Sequence, residues 1–140
     1  MAETDGCRVI AFIVILVGVI AVFIVYNESE TSNRGGGRAS RTYHEAQARQ
    51  REKDLKECEQ IVQEGLTKGF YHSVNVKANV ARMDPALWSI FSIEQKQRAV
   101  LFLSRYFDLK GSTGRVTILS NRNDQKLATY SAWSGVKILQ

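Results

Sequence analysis

An uncharged apolar stretch near the N-terminus dominates the hydrophobic pattern of the chain. Residues 9–26 read VIAFIVILVGVIAVFIVY and contain no Asp, Glu, Lys or Arg. An α-helix over this range is about 27 Å long, close to the ~30 Å hydrocarbon core of a bilayer. The pattern predicts a single transmembrane helix that follows an N-terminal tail over residues 1–8. Its predicted membrane-anchoring side chains are Val9, Phe12, Leu16, Phe23 and Tyr26.

The sequence leaves the processing and the orientation of this stretch open. A cleaved signal peptide has a basic start and a shorter apolar run, whereas this run is long and follows the acidic residues Glu3 and Asp5. We therefore expect an uncleaved anchor. Basic residues are more numerous after the stretch than before it, which favours a cytoplasmic C-terminal part. Arg8 lies directly at the start of the stretch, however, and this favours the opposite orientation.

The polar residues after the apolar stretch predict a linker and then a long helix. Residues 27–41 contain three consecutive glycines among Ser, Asn and Thr, a composition typical of a flexible linker. Residues 42–68 predict a helix with Thr42 as its N-cap and Gly69 as its stop. The apolar stripe of this helix is confined to its second half, so we expect a solvated stalk followed by a packing segment. The stripe consists of Leu55, Cys58, Val62 and Leu66.

The pattern over residues 69–140 predicts a small α+β module. Strict alternation over 70–82 indicates one half-buried strand, and Ser92 with Gln95 forms a capping box for a helix that runs to about residue 107. Two further strands are expected at 115–120 and 126–131, with a short one near 136–139. The predicted order is helix, strand, helix, strand, strand, with an antiparallel sheet and the helices on one face.

The apolar face of the second helix is wider than one packing surface requires. Leu101 and Phe102 extend it beyond the stripe that the sheet can cover, so either two elements enclose this helix or part of it contacts a partner. The candidate partner-facing residues are Leu101, Phe102, Arg98 and Arg105.

Charge is concentrated in the C-terminal module. The chain has 140 residues and a net charge of +5, and residues 69–140 contain ten basic and four acidic residues. A basic surface at a membrane favours anionic lipid headgroups or an acidic protein face, although it is equally typical of an ordinary solvated surface. Nucleic acid is disfavoured because the aromatic residues fall on core-facing positions. The candidate basic surface consists of Lys77, Arg82, Arg115, Arg122 and Lys126.

The sequence contains no constellation that indicates catalysis, a metal or a cofactor. Its two histidines, His44 and His72, lie far apart and have no Cys or carboxylate at ligand spacing. Cys58 lies on the apolar stripe and is predicted to be a buried, inert thiol. The four acidic residues after residue 69 are expected at a strand end, in the first turn of a helix, at a helix end and in a hairpin turn, where acids serve structural roles. We therefore expect a protein without enzymatic activity and without a cofactor.

The module resembles small bacterial modules that occur behind signal peptides, lipoprotein signals or single membrane anchors. The resemblance covers about residues 70–140 and is carried by three short motifs. These are Asp84-Pro85-Ala86-Leu87-Trp88, Gln95-Lys96 and Lys126-Leu127-Ala128-Thr129-Tyr130. It implies a membrane-tethered bacterial module, slightly favours the exported side, and implies no activity.

Together these features predict a single-pass protein of the bacterial inner membrane. The leading hypothesis is a non-enzymatic accessory or scaffold subunit of a larger membrane assembly. The alternative is a membrane-tethered module that binds a lipid, glycan or peptide ligand.

Overall fold

A computed structural model describes residues 39–139 of the chain, which fold into three helices and five strands. The predicted transmembrane helix, with its anchoring residues, and most of the predicted linker lie outside the described residues. Between residues 39 and 139 there is no helix whose length and apolarity would suffice to cross a bilayer. The elements are α1 (Ala39–Thr67), β1 (Tyr71–Asn75), β2 (Val80–Met83), α2 (Pro85–Ser89), α3 (Ile93–Leu109), β3 (Val116–Ser120), β4 (Lys126–Ser131) and β5 (Gly135–Ile138).

The five strands form one mixed sheet in the order β1-β2-β3-β4-β5. The β2 and β3 strands are parallel, and every other neighbouring pair is antiparallel. The α+β class is therefore confirmed, whereas the expected antiparallel sheet is wrong. The parallel pair is a consequence of the connection through α2 and α3, because a crossover with helices returns the chain to the same end of the sheet.

The predicted strand over 70–82 is a hairpin made of β1 and β2. Its turn begins at Asn75, whose Oδ1 accepts a hydrogen bond from the amide of Ala78 at 3.0 Å. Asn79 adopts a positive φ of 56°, a conformation that asparagine tolerates better than most residues. The apolar alternation through Val74, Val76 and Val80 continues across this turn. The periodicity of the sequence therefore gave no sign of the turn.

Helix α1 ends as the sequence predicts but begins earlier. Gly69 has a φ of 77°, and the amide of Phe70 donates to the carbonyl of Gly65 at 2.8 Å while that of Gly69 donates to Leu66 at 3.3 Å. This pair of bonds is a Schellman motif. The helix starts at Ala39, so Thr42 lies inside it and is not its N-cap.

The later helices are both capped at their N-termini, and the predicted capping box of Ser92 with Gln95 is confirmed. Asp84 precedes α2 and accepts a hydrogen bond from the amide of Ala86 at 2.8 Å. At the start of α3, the hydroxyl of Ser92 accepts from the amide of Gln95 and the Gln95 side chain accepts from the amide of Ser92. These bonds satisfy amide groups that have no partner within the helix.

The core lies between the helices and one face of the sheet. Helix α3 contacts β3, β4 and β5, and α1 contacts β1 and α3. Alternate residues of β2 and β3 are buried, and the residues between them are half-buried, as expected for a sheet covered on one side. The largest fully buried side chains include Trp88, Tyr71, Phe102, Phe107, Met83 and Leu103.

Three loops lie at the same end of the sheet, which we call the loop end: residues 76–79, 110–115 and 132–134. The amide of Thr117 donates to the carbonyl of Asn79 at 2.9 Å, and the hydroxyl of Ser112 donates to Asn79 Oδ1 at 2.6 Å. Pairing of Val116 with Tyr130 brings the β4–β5 turn to the same end. These contacts join the first two loops and place the third beside them.

Helix α1 leaves the module at the loop end. Its C-terminus leads into β1 at the opposite end, where Tyr71 pairs with Met83. Its middle contacts the last turns of α3, because Arg51 donates to the carbonyl of Asp108 at 3.2 Å and Glu59 accepts from Lys110. Residues 41–50 precede these contacts and are exposed throughout.

Candidate functional site

Helix α3 and the residues just before it carry three exposed large apolar side chains. Leu101 is 38% exposed and Ile93 is 67% exposed, and Ile90, just before the helix, is 60% exposed. Arg98 lies one turn before Leu101 and is also exposed. We call Ile90, Ile93, Arg98 and Leu101 the α3 patch.

Two predicted partner-facing residues are not in this patch. Phe102 is only 2% exposed and packs in the core, so it fills the interior and does not face a partner. Leu101 and Phe102 both widen the predicted stripe, and the sequence alone does not show which side of it α1 and the sheet cover. Arg105 is half-buried and is engaged within the molecule.

Arg105 forms an internal ion pair that joins α3 to α1. Its Nη2 lies 3.4 Å from Oδ2 of Asp54, a residue that is 4% exposed. Gln50 Nε2 donates to the other oxygen of Asp54 at 2.7 Å. Arg105 Nη1 also lies 3.8 Å from Oδ2 of Asp108. The Arg105 side chain therefore compensates a buried carboxylate and is not available for a partner.

The five candidate basic residues do not form one surface. Arg82 pairs with Asp124 at 2.8 Å, and Arg122 pairs with Asp84 at 3.3 Å, both at the end opposite the loop end. Lys126 is exposed at the start of β4, also at that opposite end. Lys77 and Arg115 are exposed at the loop end, and neither forms an ion pair with a carboxylate of residues 39–139.

The candidate chemistry of the described residues is sparse. His44 and His72 are both exposed and lie on different elements. Within residues 39–139 no group of His, Cys, Asp or Glu is arranged to hold a metal ion. Cys58 is fully buried, and burial together with the charge of Asp54 raises the pKa of its thiol to about 12. A buried, protonated thiol is a poor nucleophile.

We expect the module to lose stability at alkaline pH because of Cys58. A thiol in the unfolded chain ionises near pH 9, whereas the folded thiol keeps its proton up to about pH 12. The folded state is therefore stabilised fully below pH 9 and loses this contribution as the pH rises from 9 to 12. The free energy of unfolding should be about 1 kcal/mol lower at pH 10 than at pH 8 from this group.

Urea unfolding of the full chain at the two pH values, compared with a Cys58→Ala variant, tests this expectation. The variant should show a smaller decrease with pH. Burial also raises the pKa of the Tyr71 hydroxyl, so part of the decrease should persist in the variant. An equal decrease in both proteins would contradict the role assigned to Cys58.

Sequence reasoning missed the most exposed aromatic residue of the module. Trp133 lies in the turn between β4 and β5 and is 94% exposed. The turn is shaped by Ser131, whose hydroxyl accepts from the amide of Ser134 at 3.1 Å. The only sequence signal was the position of Trp133 directly before Ser134-Gly135, a pair that favours a turn.

Comparison of the chain with known protein families, curated proteins and solved structures finds no match.

Proposed function

We propose that this chain is a membrane-anchored, non-enzymatic accessory or scaffold subunit that docks on a neighbouring protein through the α3 patch. Residues 9–26 anchor it, the first half of α1 adds reach, and α3 presents the docking surface. The observation that carries the proposal is the exposure of Ile93 and Leu101 on the outer side of one helix. Large apolar side chains that share an exposed helix face are typical of interaction sites.

The composition of the α3 patch indicates what kind of partner it fits. Ile90, Ile93 and Leu101 provide exposed apolar groups, and the exposed polar side chains of Gln97, Glu94 and Arg98 lie between and beside them. Protein interfaces commonly combine an apolar centre with a polar rim. The partner surface should therefore be apolar, with polar groups of both signs at its edge.

The first half of α1 suits a role as a spacer. Residues 41–53 are all exposed and carry no continuous apolar stripe. At 1.5 Å per residue this segment is about 20 Å long. An exposed polar helix of this kind separates a docking module from its anchor without contributing to the core.

Crosslinking in native membranes tests the docking surface directly. A photoreactive amino acid at position 101 of the full chain should form an adduct with one defined protein. The same probe at position 126 serves as the matched control, because Lys126 is exposed but lies on the sheet.

Mild-detergent extraction should recover the chain in a particle larger than itself. The Ile93→Glu/Leu101→Glu variant should reduce this co-migration at least ~10-fold, because two charges would be buried in the interface.

Other outcomes decide against the proposal. A chain that migrates alone in mild detergent, with no adduct from position 101, would contradict an accessory role and favour a tethered ligand-binding module. Adducts of equal yield from positions 101 and 126 would show that the α3 patch is not the docking surface. Release of the full chain from membranes by alkaline carbonate would contradict the anchor.

A further inference from the structure

We propose that the loop end of the module lies on an anionic lipid surface, with Trp133 in the headgroup region and Lys77 and Arg115 against lipid phosphates. The inference rests on the anchoring part of the proposed function and is independent of the α3 patch. It concerns a different end of the molecule and a different class of partner.

The first argument is the position of Trp133. An indole that is 94% exposed at the tip of a hairpin contributes almost nothing to the core. The hydroxyls of Ser131 and Ser134 lie 2.7 Å apart and close the turn that presents it. Tryptophan combines a large apolar body with one polar N–H group, and it is enriched where a membrane meets water.

The second argument is the charge of the three loops at the loop end, one of which carries Trp133. Residues 76–79, 110–115 and 132–134 contain three basic residues, Lys77, Lys110 and Arg115, and no Asp or Glu. Lys110 is paired with Glu59 on α1, which leaves Lys77 and Arg115 for an external anion. Each basic residue close to an anionic bilayer strengthens binding by about fivefold.

The opposite end of the module provides an internal comparison. Its loops also carry basic residues, but Arg122 is paired with Asp84, and Asp124 is paired with Arg82 of β2. These pairs neutralise Arg82 and Arg122 within the protein, whereas Lys126 is exposed. An anionic surface would therefore favour the loop end, which carries Trp133 and two basic residues without an ion pair to residues 39–139.

The third argument is the direction in which α1 leaves the module. It leaves at the loop end, and the chain N-terminal to it contains the apolar residues 9–26. The chain toward residues 9–26 therefore continues from the same end of the module that carries Trp133.

Lipid-dependent quenching of tryptophan fluorescence tests the inference on the full chain. The protein is reconstituted into vesicles of phosphatidylcholine, with or without about one-third phosphatidylglycerol, that contain a lipid spin-labelled near its headgroup. The chain has two tryptophans, and Trp88 is only 1% exposed. Quenching should appear in anionic vesicles, disappear in Trp133→Phe, and decrease several-fold at about 0.5 M NaCl.

Matched charge variants separate the loop end from general basicity. The Lys77→Gln/Arg115→Gln variant should reduce the quenching at least fivefold. The Lys68→Gln/Lys126→Gln variant removes the same charge from exposed positions away from the loop end, and it should leave the quenching unchanged. Equal losses in the two variants would contradict a site at the loop end.

The remaining outcomes distinguish this inference from the proposed function. A chain that floats with vesicles at high salt, but whose Trp133 is equally quenched with and without phosphatidylglycerol, overturns the headgroup contact alone. Absence of quenching in anionic vesicles does the same. Protection of Trp133 only when a partner protein is added would assign the loop end to a protein. A chain that fails to float contradicts the anchor and the inference that rests on it.

Discussion

Replacing Arg105 by methionine is expected to lower the free energy of unfolding by about 2–3 kcal/mol, although Arg105 is 40% exposed in its side chain. The reason is Asp54, whose side chain is only 6% exposed. Without Arg105, its carboxylate keeps one hydrogen bond, from Gln50, and loses the opposite charge beside it. Removing one partner of a buried pair is costly because the remaining charge is left uncompensated. The exposure of Arg105 and the surviving hydrogen bond place the effect at the low end of the range for such pairs.

Urea unfolding of the full chain in detergent, followed by the fluorescence of buried Trp88, measures this effect. The Arg98→Met variant is the matched control, because Arg98 lies on the same helix and is exposed. It should change stability by less than about 0.5 kcal/mol. In an Asp54→Asn background, Arg105→Met should cost substantially less than in the original chain. If Arg98→Met and Arg105→Met destabilise equally, Arg105 does not act through Asp54.

Local signals in the sequence predicted the end of α1, the start of α3 and three of the strands well. The capping box of Ser92 with Gln95 and the glycine stop at Gly69 depend only on neighbouring residues. The strands at 116–120 and 126–131 are separated by a turn in which Asp124 has a positive φ of 55°. Such features are determined by backbone chemistry over a few residues, so one sequence is enough to find them.

The sheet topology depended on one turn that the apolar pattern concealed. If residues 70–82 formed one strand, the sheet would contain a single strand before α2. An antiparallel sheet is then the expected arrangement. The turn from Asn75 to Asn79 divides this segment into two strands and makes β2 the neighbour of β3. The two asparagines were the available signal, but the alternating valines around them outweighed it.

The candidate sites depended on tertiary contacts that periodicity does not encode. Arg105 and Arg98 both carry a charge on α3, yet only the contact with Asp54 of α1 makes Arg105 internal. Asp54 lies on the packing face of α1 next to Leu55, and a buried carboxylate at such a position has no local signature. The exposure of Trp133 likewise follows from its place at the tip of a hairpin.

Replacing Gly65 by alanine is expected to destabilise the module by about 2 kcal/mol, the opposite of what helix propensity predicts. Alanine in place of glycine inside a helix ordinarily stabilises by about 1 kcal/mol. A Cβ at position 65 would lie 2.7 Å from Cδ2 and 3.0 Å from Cε2 of Tyr71. The ring of Tyr71 is itself 1% exposed and packs against Phe70 with centroids 4.7 Å apart. It cannot move away without disturbing the core, and the overpacking outweighs the gain in propensity.

A double-mutant cycle identifies the Tyr71 ring as the cause of this effect. Urea unfolding should show that Gly65→Ala costs markedly less in a Tyr71→Leu background, because the smaller side chain leaves room for the new methyl group. Gln63→Ala, at an exposed position of the same helix, should have little effect on stability. If Gly65→Ala stabilises the original chain, α1 and β1 are not packed as closely as their contact at Gly65 requires. The attachment of the long helix to the sheet would then need revision.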